Sequence, residues 1–113
     1  VERVSYPSLM DGYAKDRAEK YLTRGNGGLM GFEVKGGREA GEKFINALEM
    51  VYHVANIGDS RSLAIHPGST THSQLNEEEL LAAGITPGYV RLSIGLEHVD
   101  DIIADFEQAL SKI

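Results

Sequence analysis

The sequence predicts an α+β domain: a small sheet with helices gathered largely on one side and the other face left free. Three observations carry this. Short runs alternate apolar and polar residues with period two, as half-buried strands do. Longer segments between them repeat apolar residues every three or four positions, the spacing of one helix face. At 113 residues the chain is long enough to bury one core and short enough to be one domain, residues 1–113.

Taken in order, Tyr13, Ala14, Arg17, Ala18 and Tyr21 recur at helical spacing between Asp11 and Tyr21, and the flexible run Thr23 to Gly28 ends that helix. Leu29 to Lys35 sets Met30, Phe32 and Val34 against Leu29, Gly31 and Glu33, a strand closed by Gly36-Gly37. A long helix follows from about Arg38 to Ala55, striped by Ala40, Phe44, Ala47, Leu48, Val51, Val54 and Ala55. Asn56 to Asp59 reads as a turn, and Ser62 to Ile65 as a second strand that halts at His66-Pro67-Gly68. Asn76 is an N-cap with Glu79 three residues on, ahead of Leu80 to Ala82, and Gly84 ends this short helix. The run Tyr89 to Glu97 is the third strand, with Val90, Leu92 and Ile94 on one face and Tyr89, Arg91 and Ser93 on the other. Val99, Ile102, Ile103, Phe106, Leu110 and Ile113 stripe a closing helix whose start carries Asp100 and Asp101, matching the positive helix end.

Composition narrows the function. With 42% hydrophobic and 25% charged residues the chain reads as globular, and no apolar run is long enough to span a bilayer. A net charge of −6 with scattered Lys and Arg argues against nucleic acid, whose binders need a concentrated basic surface. The absence of Cys removes disulfides and thiolate chemistry, and with no secretory pattern at the start it fits a cytoplasmic location. The chain opens on Val1 rather than Met, as either a piece of a longer polypeptide or a processed natural start would.

Arg91 is the first candidate for chemistry. Its strand turns a guanidinium away from the apolar face, and that planar, permanently charged fork suits a carboxylate or phosphate. An anionic small molecule is one partner for it, and a neighbouring acidic side chain is the other. The loop His66 to Leu75 is dense in hydroxyls at Ser69, Thr70, Thr71 and Ser73, which serve either an anion or their own backbone turns. His66 and His72 stand six apart with no Cys and no fixed acidic partner, a poor frame for zinc. The glycine pairs lack the Lys-Ser/Thr ending of a P-loop and the strand-to-helix frame of a dinucleotide site.

The series Asn56-Ile57-Gly58-Asp59, Ser62 to Pro67, Ser69-Thr70-Thr71-His72, Gly84-Ile85 and Val90 to Glu97 resembles the C-terminal domain of the Cys/Met-metabolism family of pyridoxal-phosphate enzymes. Tyr6-Pro7, Lys20 to Leu22 and Phe32 to Gly37 fit as well, so the resemblance covers nearly the whole chain. The wording His66 to Leu75 is most similar to the O-acetylhomoserine sulfhydrylase branch, whose members join O-acetylhomoserine with sulfide or a thiol to give homocysteine or methionine. The resemblance implies the C-terminal domain of a fold-type I enzyme, with a mainly antiparallel sheet. It also implies that Arg91 anchors the substrate α-carboxylate, that Asn56 makes a second contact to it, and that Thr71 lines the same pocket, with Ser62 and His66 as supports. Pyridoxal 5'-phosphate is then carried by a lysine outside this chain, because none of Lys15, Lys20, Lys35, Lys43 and Lys112 stands in the Ser/Thr-rich context of the family's cofactor lysine. The implied partners are an amino-acid substrate, the large cofactor-binding domain of the same polypeptide and further copies in a homodimer or homotetramer. Methionine γ-lyase and the cystathionine γ-synthases and lyases are neighbouring readings. A free-standing amino-acid-binding module without catalysis is a reading of another class.

Overall fold

The computed structural model describes residues 1–113. Five strands form one sheet in the order β1-β2-β5-β4-β3: β1 (Arg3–Ser5), β2 (Leu29–Glu33), β3 (Tyr52–His53), β4 (Leu63–Ile65) and β5 (Tyr89–Ser93). All neighbours are antiparallel except β3 and β4. The period-two segments around Met30, Ala64 and Val90 thus form β2, β4 and β5, with β2 and β5 paired along their full lengths at the centre. Two strands come in addition to the three expected. β1 has three residues and one apolar side chain, too few for alternation to show, and β3 lies inside the segment that reads as helix.

That segment is the main correction. Helix α2 spans Gly37–Ala47 and stops there, with Leu48 already extended (φ −66, ψ 134). The cause is a carboxylate from elsewhere. Asp105 accepts the amides of Glu49 (2.9 Å), Met50 (2.9 Å) and Val51 (3.0 Å), which a continuing helix would spend on its own ladder. Gln108 donates to the last helical carbonyl, that of Ala47, at 2.6 Å. Tyr52 and His53, flanked by the β-branched Val51 and Val54, then enter the sheet parallel to β4. Val51 keeps the helical spacing by accident, since it is buried from the bend that leads into β3.

Helices α2 and α4 (Val99–Leu110) cover one face of the sheet. Beneath them Phe32, Val34, Phe44, Ile45, Ala64, Val90 and Leu92 make the core, with Phe44 edge-on to Phe32 (centroids 5.2 Å apart, 89° between planes). Phe44 is fully buried, which is worth about 1.5–3 kcal/mol. The inner face of α4 is Ile102, Asp105, Phe106, Ala109 and Leu110, whereas Val99, Ile103 and Ile113, expected on the stripe, are exposed. Helix α3 (Glu77–Ala82) starts at the reciprocal capping pair Asn76 and Glu79, both bonds at 2.9 Å. Helix α1 (Gly12–Tyr21) buries none of its residues.

The opposite face carries Tyr89, Arg91 and Ser93, with Gly31 directly across from Arg91 and Leu63 and Ile65 on the far neighbour. It is less free than expected: Leu63 and Ile65 are buried, and segments around Ala55–Gly58 and Pro67–Ile85 reach over it. The ring of Tyr89 lies across Gly31, in space that a Cβ there would need.

His66, at the end of β4, is fully buried. Its Nε2 donates to the Pro87 carbonyl at 2.6 Å, so Nδ1 accepts from the Ser69 hydroxyl at 2.8 Å and the ring is neutral. Gly41 of α2 packs on that ring too closely for any side chain at position 41.

Two expectations follow for stability. Burial raises the Asp105 pKa, but the amides of Glu49, Val51 and Met50 and the Gln108 side chain outweigh it, leaving the carboxyl below its usual 3.8. Its contribution is therefore complete above about pH 4 and is lost as pH falls through the depressed folded value. Asp105→Ala strands three amides and should lower the urea-unfolding free energy by on the order of 3 kcal/mol. For His66, burial lowers the pKa below 6.5 and outweighs the opposing bond to Pro87, so the unfolded chain takes up the proton first. Stability should fall as pH drops below about 6.5 and level off below the folded value, and His66→Asn should show a shallower loss in thermal melts between pH 7.5 and 5.

Candidate functional site

A cavity of about 670 Å³ opens on the sheet face opposite α2 and α4. Arg91 and Tyr89 of β5 and Ile65 of β4 form its floor, Arg3 and Ser5 of β1 one side, and Ala55, Thr71, His72 and Ile85 the rest of the wall. No Asp or Glu lines it, although the chain as a whole carries a net charge of −6. Arg3 and Arg91 are its permanent charges, and Arg3 is drawn aside by Glu33 at 3.7 Å.

Arg91 has no carboxylate within salt-bridge distance; the chain's four ion pairs all lie elsewhere. Its Nη2 donates instead to the main-chain carbonyl of Ala55 at 2.5 Å. A neutral carbonyl aims the guanidinium without neutralising it, which leaves the full charge and the remaining N–H donors for a ligand. The Ala55 carbonyl is held in turn by its own segment. Gly58, at φ +75 where glycine is at ease, donates its amide to Ser93 Oγ at 3.0 Å, and Asp59 accepts the Arg61 amide at 2.9 Å. Arg91 and Ser93 thus pin the loop after β3 at two points.

Of the three residues singled out in the sequence, Arg91 and Thr71 share this cavity. Thr71 is exposed, its hydroxyl 2.9 Å from His72 Nδ1. Asn56 does not line the cavity; it is exposed and directly follows the carbonyl that Arg91 grips. Ser62 and His66 stay outside the cavity as supports. Ser62 donates its amide (2.6 Å) and hydroxyl (2.8 Å) to Glu97 and accepts the Gly95 amide (2.9 Å), joining β4 to the end of β5. The bond from the Ser62 amide is the largest cause holding the Glu97 carboxyl below its usual range. Both ring nitrogens of His66 are engaged within the fold, and His72 is on the cavity wall. Sequence reasoning missed Arg3, because β1 was not legible, and the role of the Ala55 carbonyl, which no side-chain pattern encodes. Tyr89 was legible as sharing the Arg91 face.

All five lysines are exposed and none lines the cavity. No helix is long and apolar enough to cross a membrane.

Comparison with known proteins shows the family. The family model described as Cys/Met metabolism PLP-dependent enzyme matches residues 1–111. The O-acetyl-L-homoserine sulfhydrylase of Leptospira meyeri is 54% identical over 114 residues, covering 100% of this chain and 26% of that protein. An L-methionine gamma-lyase of Fusobacterium nucleatum subsp. polymorphum is 48% identical over 113 residues, covering 100% of this chain and 28% of that protein. Among solved structures, a Campylobacter jejuni protein described as an O-acetylhomoserine (thiol)-lyase, carrying N'-pyridoxyl-lysine-5'-monophosphate, superposes with a TM-score of 0.83 at 47% identity over 96% of this chain and 26% of its own. The chain therefore spans about a quarter of the length of the relatives it matches. With a family model matched almost end to end and a fold that superposes on a solved relative at 47% identity, the chain belongs to the Cys/Met metabolism PLP-dependent enzymes.

Proposed function

We propose that this chain is the C-terminal, substrate-carboxylate-binding part of a pyridoxal-phosphate sulfhydrylase that joins O-acetylhomoserine with sulfide or a thiol to give homocysteine or methionine. The observation that carries the reading is the Arg91 guanidinium, aimed by a carbonyl, unpaired with any acid, and set in a cavity without carboxylates. The sulfhydrylase identity of 54% over the whole chain supports the choice of reaction.

In this reading Arg91 takes both oxygens of the substrate α-carboxylate, as its fork geometry favours. Thr71 closes the wall beside it, whereas Asn56, outside the cavity wall, bears on the site only as the residue after the Ala55 carbonyl. Holding both oxygens of the acid end in one fork fixes the direction of the Cα–H bond, which converts a chance encounter into a set approach. Pyridoxal phosphate, held by a lysine outside residues 1–113, would supply the electron sink for the chemistry at the substrate's carbon atoms. On this reading this chain grips the substrate and the remainder of the polypeptide carries the cofactor. The cavity-lining apolar residues Ile65, Ile85 and Met10 exclude water beside the bound acid, which strengthens its pairing with Arg91.

Elimination from methionine is the second reading, favoured by the 48% identity to a gamma-lyase. Assays of the full-length enzyme with O-acetylhomoserine plus sulfide, and with methionine alone, separate the two by which kcat/KM is larger. In the same enzyme Arg91→Ala should raise KM for the amino acid and lower kcat/KM by about 2–4 kcal/mol, the scale for losing a charge-assisted pair to a partly buried anion. Unchanged kinetics would return Arg91 to the surface.

A further inference from the structure

Helix α1 is the part of the molecule that its own packing does not explain. It is ten residues long, a length that is marginal for an isolated helix in water, and none of its residues is buried. The one element it packs closely against is the 3₁₀ turn Pro7–Leu9. Between them runs an open, mainly apolar groove of Pro7, Met10, Ala14, Ala18, Tyr21 and Leu22, with Arg17 on its wall. Tyr13 and Tyr21 stand 75% and 67% exposed, with Arg17 and Lys20 lying over their rings at 5.1 and 5.3 Å. The excursion is nonetheless a built unit: the Tyr6 hydroxyl donates to the Gly27 carbonyl at 2.8 Å and closes its base.

We propose that α1 and this groove form the surface on which the remaining part of the same polypeptide docks. The proposal rests on the reading above that the chain is one part of a longer enzyme. The relatives are about four times as long, with this chain covering 26% of the Leptospira protein and of the Campylobacter chain, so the body missing from these 113 residues is larger than the body present. A tethered surface acts at an effective concentration of about millimolar and so takes an apolar groove ahead of a second copy in dilute solution. Aromatic side chains carrying cations over their faces suit such a contact, because the rings bury apolar area while the charges stay at the rim.

The test uses thiol reactivity in the full-length enzyme, since residues 1–113 contain no Cys. With other thiols replaced, Ala14→Cys places a small probe in the groove and Glu19→Cys places one on the far side of α1. In the native enzyme Cys at 14 should react with a maleimide at least about tenfold more slowly than Cys at 19, and the two should react alike in urea. A photoactivated cross-linker on the Ala14→Cys thiol should then yield adducts to residues outside 1–113 that run as a single chain on a denaturing gel. Equal native reactivity would overturn the proposal. So would cross-links that double the chain mass, which would assign the groove to a second copy, and so would a reading frame that encodes no further length. None of these readouts needs turnover, so an active-site role that failed at Arg91 would leave them unchanged.

Discussion

A single buried carboxylate, Asp105, decides where helix becomes strand and, through that, where the cavity has its wall. By taking the amides of residues 49 to 51 it ends α2 at Ala47 and turns the chain into β3. Gln108, one turn on, serves the last carbonyl of α2, so one helix supplies both the acceptor and the donor that the junction needs. Placing a carboxylate near a helix C-terminus opposes the helix dipole, and three short amide bonds outweigh that cost. From β3 the chain reaches Ala55, whose carbonyl orients Arg91 on the neighbouring face. Core and site are linked through this one segment.

Most of the frame was legible because it obeys local rules. β5 shows its alternation in five consecutive residues, α3 announces itself by Asn76 and Glu79, and α2 begins at the glycine pair where expected. The failures share a physical cause. The end of α2 depends on a side chain 54 to 56 residues away, and β1 exists because β2 offers a free edge, so neither is encoded by periodicity in the segment itself. Asp105 also sits on the apolar stripe of α4, where a carboxylate reads as a break in the pattern until its three amide partners are seen. For the site, Arg91 could be picked out because a charged residue on a strand with one apolar face must point away from the core. Its partner is a main-chain carbonyl, which every residue has and no sequence pattern marks.

The charge distribution is as telling as the geometry. An acidic chain has placed its carboxylates away from one cavity and left two guanidiniums there, only one of them paired. Because the partner of Arg91 is neutral, the field in the cavity is not cancelled locally, and the low-dielectric neighbours Ile65 and Ile85 prolong its reach.

The contact between Tyr89 and Gly31 extends this economy across the sheet. The phenol ring occupies the volume that any larger residue at 31 would claim, and 31 is the cross-strand partner of Arg91 itself. Even a methyl group there would displace a ring that lines the same cavity as the guanidinium, so position 31 governs the space beside Arg91 without entering it.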